Sequence, residues 1–149
     1  SFSHDGTHFV GCHFNSPNVT AYAFNAPSSP WYSRVSNPAT LPPSHGWGAA
    51  FSPDDSVIVA GHYNTPFISA YAWTGTAWGT KYSNPSSLPI NRSRPKFTSD
   101  GSAIITASVS SPYVEAWAWD NTSGFGTKYS NPSSLPSGGC NNVSIKPLS

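Results

Sequence analysis

The chain is predicted to be all-β, built from three four-stranded antiparallel propeller blades, and three observations carry that prediction. The segment Gly79-Thr80-Lys81-Tyr82-Ser83-Asn84-Pro85-Ser86-Ser87-Leu88-Pro89 returns unchanged as Gly126 to Pro136, an offset of 47 residues. A diverged copy, Ser36-Asn37-Pro38-Ala39-Thr40-Leu41-Pro42, lies another 47 residues upstream. Strand-rich runs bounded by Pro, Gly, Asn and Asp recur in the same step, four to a unit. Repeats of this length with four strands each are the signature of propeller blades.

The repeat units run approximately over 2–50, 51–96 and 97–144, with Ile145-Lys146-Pro147 opening a fourth within 145–149. In the second unit the expected strands are 46–52, 56–63, 67–74 and 77–83, here called positions A, B, C and D of a blade. Between A and B, Ser52-Pro53-Asp54-Asp55 has turn chemistry: proline fixes φ and aspartate can bond back to the backbone. Phe2-Ser3-His4-Asp5-Gly6 and Phe97-Thr98-Ser99-Asp100-Gly101 occupy the same place in the other units. No stretch sustains a helical period, and the 15 prolines would interrupt most candidates.

The C strands predict how blades stack. One face carries Ala21 and Ala23, Ala70 and Ala72, Ala116 and Ala118. The other carries Tyr22 and Phe24, Tyr71 and Trp73, Trp117 and Trp119. Alternation puts these on opposite faces, so a bulky aromatic face can seat in the shallow face of the next blade. Trp31, Trp78 and Phe125 begin the D strands and are expected to shield the blade edge; an exposed row of this kind could also stack on sugar rings.

Three blades are fewer than the roughly four to eight of a typical propeller. The expectation is therefore a larger ring of six or more blades, completed by other copies of the chain through strand exchange. The first unit lacks an A strand and the end of the chain, 139–145, reads as an orphan one. If Phe51 opposes Ser56, then Gly46 opposes Gly61. By repeat alignment Cys140 of one copy then opposes Cys12 of another, a possible seam disulfide.

Composition narrows function. Charged residues make up 9% of the chain and the net charge is +1. No basic stripe is available for nucleic acid, and no apolar run is long enough for a membrane span. Low charge, no Met and abundant Ser, Thr, Asn and aromatics suggest an extracellular, cell-surface or virion-associated setting. Asp5, Asp54 and Asp100 are repeat-equivalent turn residues, and Glu115 reads as an exposed strand end. No acid/base set stands outside the repeat, no zinc spacing occurs and no phosphate loop is present, so neither catalysis nor a metal or cofactor is expected.

Binding, if any, should sit where near-identical repeats diverge, because loops on a rigid scaffold carry recognition. The D–A loops diverge most: Pro43-Ser44-His45-Gly46-Trp47, Ile90-Asn91-Arg92-Ser93-Arg94 and Ser137-Gly138-Gly139-Cys140-Asn141. His45, Trp47, Arg92 and Arg94 are the candidates there. His13 and His62 are equivalent to each other, and each precedes an aromatic-Asn-Ser/Thr-Pro loop. They are candidates too, with a loop-tying hydrogen bond as their structural role.

The Phe-Ser-Pro-Asp turn, the B strand after it and the aromatic-ended C strand resemble WD40-type repeats in a non-standard form. Trp119-Asp120 occurs once, and Gly61-His62 stands in the B strand. The Ser-Pro-aromatic and Ser-Asn-Pro-x-x-Leu-Pro elements are similar to propeller repeats of large phage and bacterial surface proteins. Fold alone does not choose a function. With no acid/base set outside the repeat, the expectation is a non-catalytic structural or interaction protein, a virion or cell-surface component using the ring as a docking platform for other proteins, or alternatively a glycan-binding, lectin-like propeller.

Overall fold

A computed structural model describes residues 1–24, 27 and 30–145. Lys146 and Pro147 of the expected fourth repeat lie outside the described residues. The first sheet contains β1 (His8–Cys12), β2 (Val19–Phe24) and β3 (Tyr32–Arg34) in that order. The second contains β4 (Gly46–Phe51), β5 (Val57–His62), β6 (Ile68–Trp73) and β7 (Trp78–Lys81). The third contains β8 (Ser93–Phe97), β9 (Ala103–Ser108), β10 (Val114–Asp120) and β11 (Gly124–Lys128). Every pairing is antiparallel between neighbours in sequence, as in the blades of a propeller. Among the described residues no helix is long and apolar enough to cross a membrane.

The blades stack by the asymmetry of their C strands. Phe51, Ile58 and Trp73 of the second blade pack with Val10, Val19 and Ala21 of the first. Phe97, Ile104 and Trp119 of the third blade pack with Val57, Val59, Ile68 and Ala70 of the second. The aromatic rings meet edge to face, as Phe51–Trp73 at 5.8 Å and Phe97–Trp119 at 5.7 Å do. Trp78 and Phe125 close the outer edge against Trp73 and Trp119, which is the shielding role expected of them.

The A–B turns repeat one hydrogen-bond design. The Asp54 carboxylate accepts from the Ser52 and Ser56 hydroxyls at 2.6 and 2.8 Å, and the Ser52 hydroxyl accepts from the Val57 N–H. Asp100 is held by Thr98 and Ser102, and Asp5 by Ser3 and Thr7, in the same way. This design corrects the expected register. Ser52 closes the hairpin on Val57, so Phe51 faces Ile58 instead of Ser56.

A bulge follows at the far end of the same ladder. Gly46 faces His62 and Gly48 faces Gly61, leaving Trp47 as the extra residue. The third blade has no bulge there, and Ser93 faces Ser108. In both blades the residue equivalent to Cys140 therefore faces the residue equivalent to His13. Cys12 and Cys140 would not be directly opposed across a seam, and both are free thiols in one chain.

The first, three-stranded blade also pairs with the opening residues of the chain. Phe2 bridges Phe9, and Ser1 exchanges backbone hydrogen bonds with Val10 at 2.8 and 3.0 Å. At the other end, 139–145 forms no strand. It nonetheless begins like an inner strand: the Cys140 N–H donates to the Ser108 carbonyl as the Gly46 N–H donates to that of His13.

Gly61 marks the tightest contact between blades. A Cβ there would meet the Ser93 carbonyl oxygen, while Ala107 and Cys12 occupy the equivalent positions of the other B strands. Gly61→Ala should force β5 and β8 apart and destabilise the protein by about 1–3 kcal/mol, the usual range for overpacking. Chemical denaturation measures it; a variant within about 0.5 kcal/mol of the parent would refute the close approach.

Candidate functional site

Antiparallel order sends the B–C and D–A loops to one side of the blades and the A–B and C–D loops to the other. Hydrogen bonds fix this division. On the first side the Asn18 side-chain amide donates to the Pro42 carbonyl, the Asn64 N–H to the Ser44 hydroxyl and the Ser93 hydroxyl to the Phe67 carbonyl. On the second, the Asn121 amide donates to Asp54, and the His4 and Asp5 N–H groups donate to Asp55.

The first side gathers most of the residues singled out in the sequence. Trp47, turned out of the ladder by the bulge, lies beneath two guanidinium groups. Arg92 stands 4.4 Å and Arg94 5.1 Å from its ring centre, and Arg92 is also 5.7 Å from the Tyr63 ring. His45 packs between Phe14 and Tyr63, with ring centres at 5.4 and 6.1 Å. Phe14 in turn meets Trp47 at 5.9 Å. Phe14, Trp47 and Tyr63 thus form an aromatic floor with His45 on one flank and the two arginines on another. Sequence reasoning missed Phe14 and Tyr63; their signal is the aromatic that follows each loop histidine.

His45 has a defined tautomer. Its Nδ1 lies 2.6 Å from the Phe14 carbonyl oxygen. A carbonyl can only accept, so Nδ1 carries the hydrogen and Nε2 of the neutral ring presents a lone pair. Beside the floor, a cleft of about 300 Å³ is lined by Trp47, Arg94, Lys96, Asn141 and Asn142 among others. Arg94 reaches Asn141 across it at 3.3 Å. Its walls combine two cations, two amides and one indole with Gly48, Ala49 and Pro95, a set suited to an anionic, hydroxylated ligand.

His13 and His62 are placed otherwise. His62 is fully buried, with Nδ1 on the Asn64 carbonyl at 2.8 Å and Nε2 on the Ser69 hydroxyl at 3.1 Å. His13 makes the same pair of bonds to Asn15 and Thr20. Both tie their B–C loop to strand C, and His62 has no face left for a ligand. Glu115 corrects another expectation. It is buried, accepts from the Ile90 N–H at 3.0 Å and pairs with Lys128 at 2.6 Å, so it anchors a D–A loop instead of ending a strand in solvent. Cys12 is pressed against Gly46, and burial pushes its thiol up to about 12. Among the described residues no group of three or more His, Cys, Asp or Glu converges on a cation position.

No family model matches the chain, and no curated protein matches it in sequence. The fold is similar to that of two solved structures described as putative 6-phosphogluconolactonases. The one from Bacteroides fragilis is 14% identical with a TM-score of 0.69, over 86% of this chain and 36% of that one. The one from Bacteroides uniformis is also 14% identical, with a TM-score of 0.71 over 99% of this chain and 43% of that one. At this identity the likeness establishes the propeller fold, and the chain spans less than half the length of either neighbour.

These neighbours correct two expectations. The resemblance to WD40-type repeats reduces to a shared propeller-like architecture. The reading as a non-catalytic structural, virion or cell-surface component is overturned, and the lectin-like alternative with it, because the proteins that share the fold are described as enzymes. That reading rests on finding no acid/base group outside the repeat. His45 is such a group: its equivalents are Arg92 and Gly139.

Burial of His62 gives a pH signature. Desolvation holds its ring down to about 4 against an ordinary value of 6.5. Between these values the unfolded chain binds the proton and the folded chain refuses it. Stability is therefore complete above pH 6.5 and falls by roughly 3 kcal/mol as pH drops to about 4. Asp5 and Asp100, held down to about 2 chiefly by the Ser3 and Thr98 hydroxyls, lose their contribution only below that window. Thermal unfolding across pH 7 to 4.5 should show the decline, and His62→Gln should flatten it; an equal slope in both proteins would refute the assignment.

Proposed function

We propose that this chain forms part of a propeller hydrolase that opens an anionic sugar lactone, with its site on the D–A loop face. The observation that carries the reading is the cluster of His45, Trp47, Arg92 and Arg94 over the aromatic floor. The description of the structural neighbours as 6-phosphogluconolactonases supports the substrate class.

The chemistry follows from the groups present. Arg92 and Arg94, held by their stacking on Trp47, would bind a phosphate or carboxylate of the substrate. Asn141 and Asn142 would meet its hydroxyls. His45 Nε2 would take a proton from water as the water oxygen attacks the lactone carbonyl. The tetrahedral intermediate collapses by breaking the bond from the carbonyl carbon to the ring oxygen. The imidazolium returns its proton to that oxygen, leaving a hydroxy acid and a neutral histidine. The Phe14 carbonyl keeps the imidazole oriented throughout.

Proton release from 6-phosphogluconolactone, measured above the spontaneous rate and beside unphosphorylated gluconolactone, tests the proposal. Hydrolysis should favour the phosphorylated substrate. His45→Gln should lower kcat by at least about 100-fold. Arg92→Ala should act mainly on KM, raising it about 10-fold or more. A purified chain that leaves both lactones at the spontaneous rate overturns it.

A further inference from the structure

The two ends of the blade stack present unlike faces. Within the chain, each junction seats an aromatic face on a shallow one, and it does so twice. Phe51 and Trp73 are 4% and 5% exposed at the first junction, and Phe97 and Trp119 are 5% and 6% exposed at the second. Their equivalents in the first blade, Phe2 and Phe24, are 55% and 37% exposed. With Phe9, Tyr22 and Trp31 they make one continuous aromatic surface. Phe9 stacks on Tyr22 at 4.9 Å and on Trp31 at 6.0 Å, and Phe2 meets Phe24 at 5.7 Å. At the other end, Ile105, Val114 and Ala116 are only partly buried, whereas their equivalents Val59, Ile68 and Ala70 are buried in the second blade.

We infer that the aromatic face of the first blade docks on the shallow face of the third blade in a second copy of this chain. The occupant is identified by continuity with an interface the chain already makes: each open face is the repeat-equivalent of a face covered at an internal junction. The backbone agrees. Ser1 and Phe2 pair with β1 only at Val10 and Phe9, and among the described residues no inner strand pairs with its edge from Gly11 to His13. The tail from Cys140 onward begins as an inner strand, and among the described residues it forms no ladder. In the register of Gly46 with His62 and Ser93 with Ser108, Cys140 of one copy faces His13 of the other. Docking at both ends joins two chains, and twice three blades falls within the usual propeller range of about four to eight. The inference does not rest on the hydrolase reading: its end faces carry neither His45 nor the two arginines, and only the tail bearing Asn141 and Asn142 is common to both.

Light scattering of the eluting 149-residue chain reads the mass directly, and twice the mass of one chain is expected. Two variants separate the faces. Phe9→Glu spoils the aromatic face and Ile105→Glu the shallow one; each alone should halve the mass while circular dichroism stays that of the parent. Mixed in equal amounts, they should return a two-chain species, because each brings the face the other lacks. Monomeric parent protein, folded variants that keep the parent mass, or a mixture that stays monomeric would each overturn the inference.

Discussion

The structure depends on a contact that is unlike on its two sides. A blade presents aromatic rings to one neighbour and alanine and valine to the other, so stacking has a direction. Each aromatic ring brings a large apolar surface to the junction, and burial of such surface is the main favourable term in folding. The small residues bring the space to receive it. Neither face could pack well on its own kind: two aromatic faces would leave voids and two alanine faces would bury little. The direction of stacking is thus written into one short strand, repeated at β2, β6 and β10.

This directionality positions the site. Because blades follow one another in a fixed sense, the D–A loop of one blade lies over the B–C loop of the blade before it. His45 therefore meets Phe14, and Arg92 meets Tyr63. The scaffold repeats, but the loops do not, and the first junction alone supplies a histidine and a tryptophan while the second supplies two arginines. Trp47 connects them. Its exit from the ladder requires the bulge between Gly46 and Gly48, and Gly46 must be glycine, since a Cβ there would meet the Asn18 carbonyl and Cys12.

Much of the fold was legible in the sequence because repetition averages out local ambiguity. The strand positions, the turn aspartates, the opposite faces of the C strands and the division of loops between two sides each recur, and a signal seen three times is hard to misread. What escaped were features set by single hydrogen bonds. The Ser52 hydroxyl takes the Val57 N–H and closes the hairpin one residue later than turn chemistry suggests. Every partner in the ladder then moves by two, which preserves faces, and the bulge at Trp47 shifts the last pair by an odd step, which does not. That odd step separates the two cysteines. Glu115 was misplaced because its partner, Lys128, lies on another strand and no local pattern announces the pair.

The candidate site was legible as a list and not as a mechanism. Divergence among the D–A loops picked out His45, Trp47, Arg92 and Arg94, all of which the structure gathers at one place. Its chemical meaning depended on what lies beneath them. An arginine in a solvated loop is a loose cation, but one stacked on an indole is held in place and has lost part of its freedom before any ligand arrives. A histidine whose Nδ1 faces a carbonyl is likewise fixed in one tautomer, its second nitrogen turned into an acceptor. Both effects arise from groups one blade away, brought into reach by the direction of stacking. The same aromatic-on-alanine contact that orders the core therefore also turns scattered loop residues into a site.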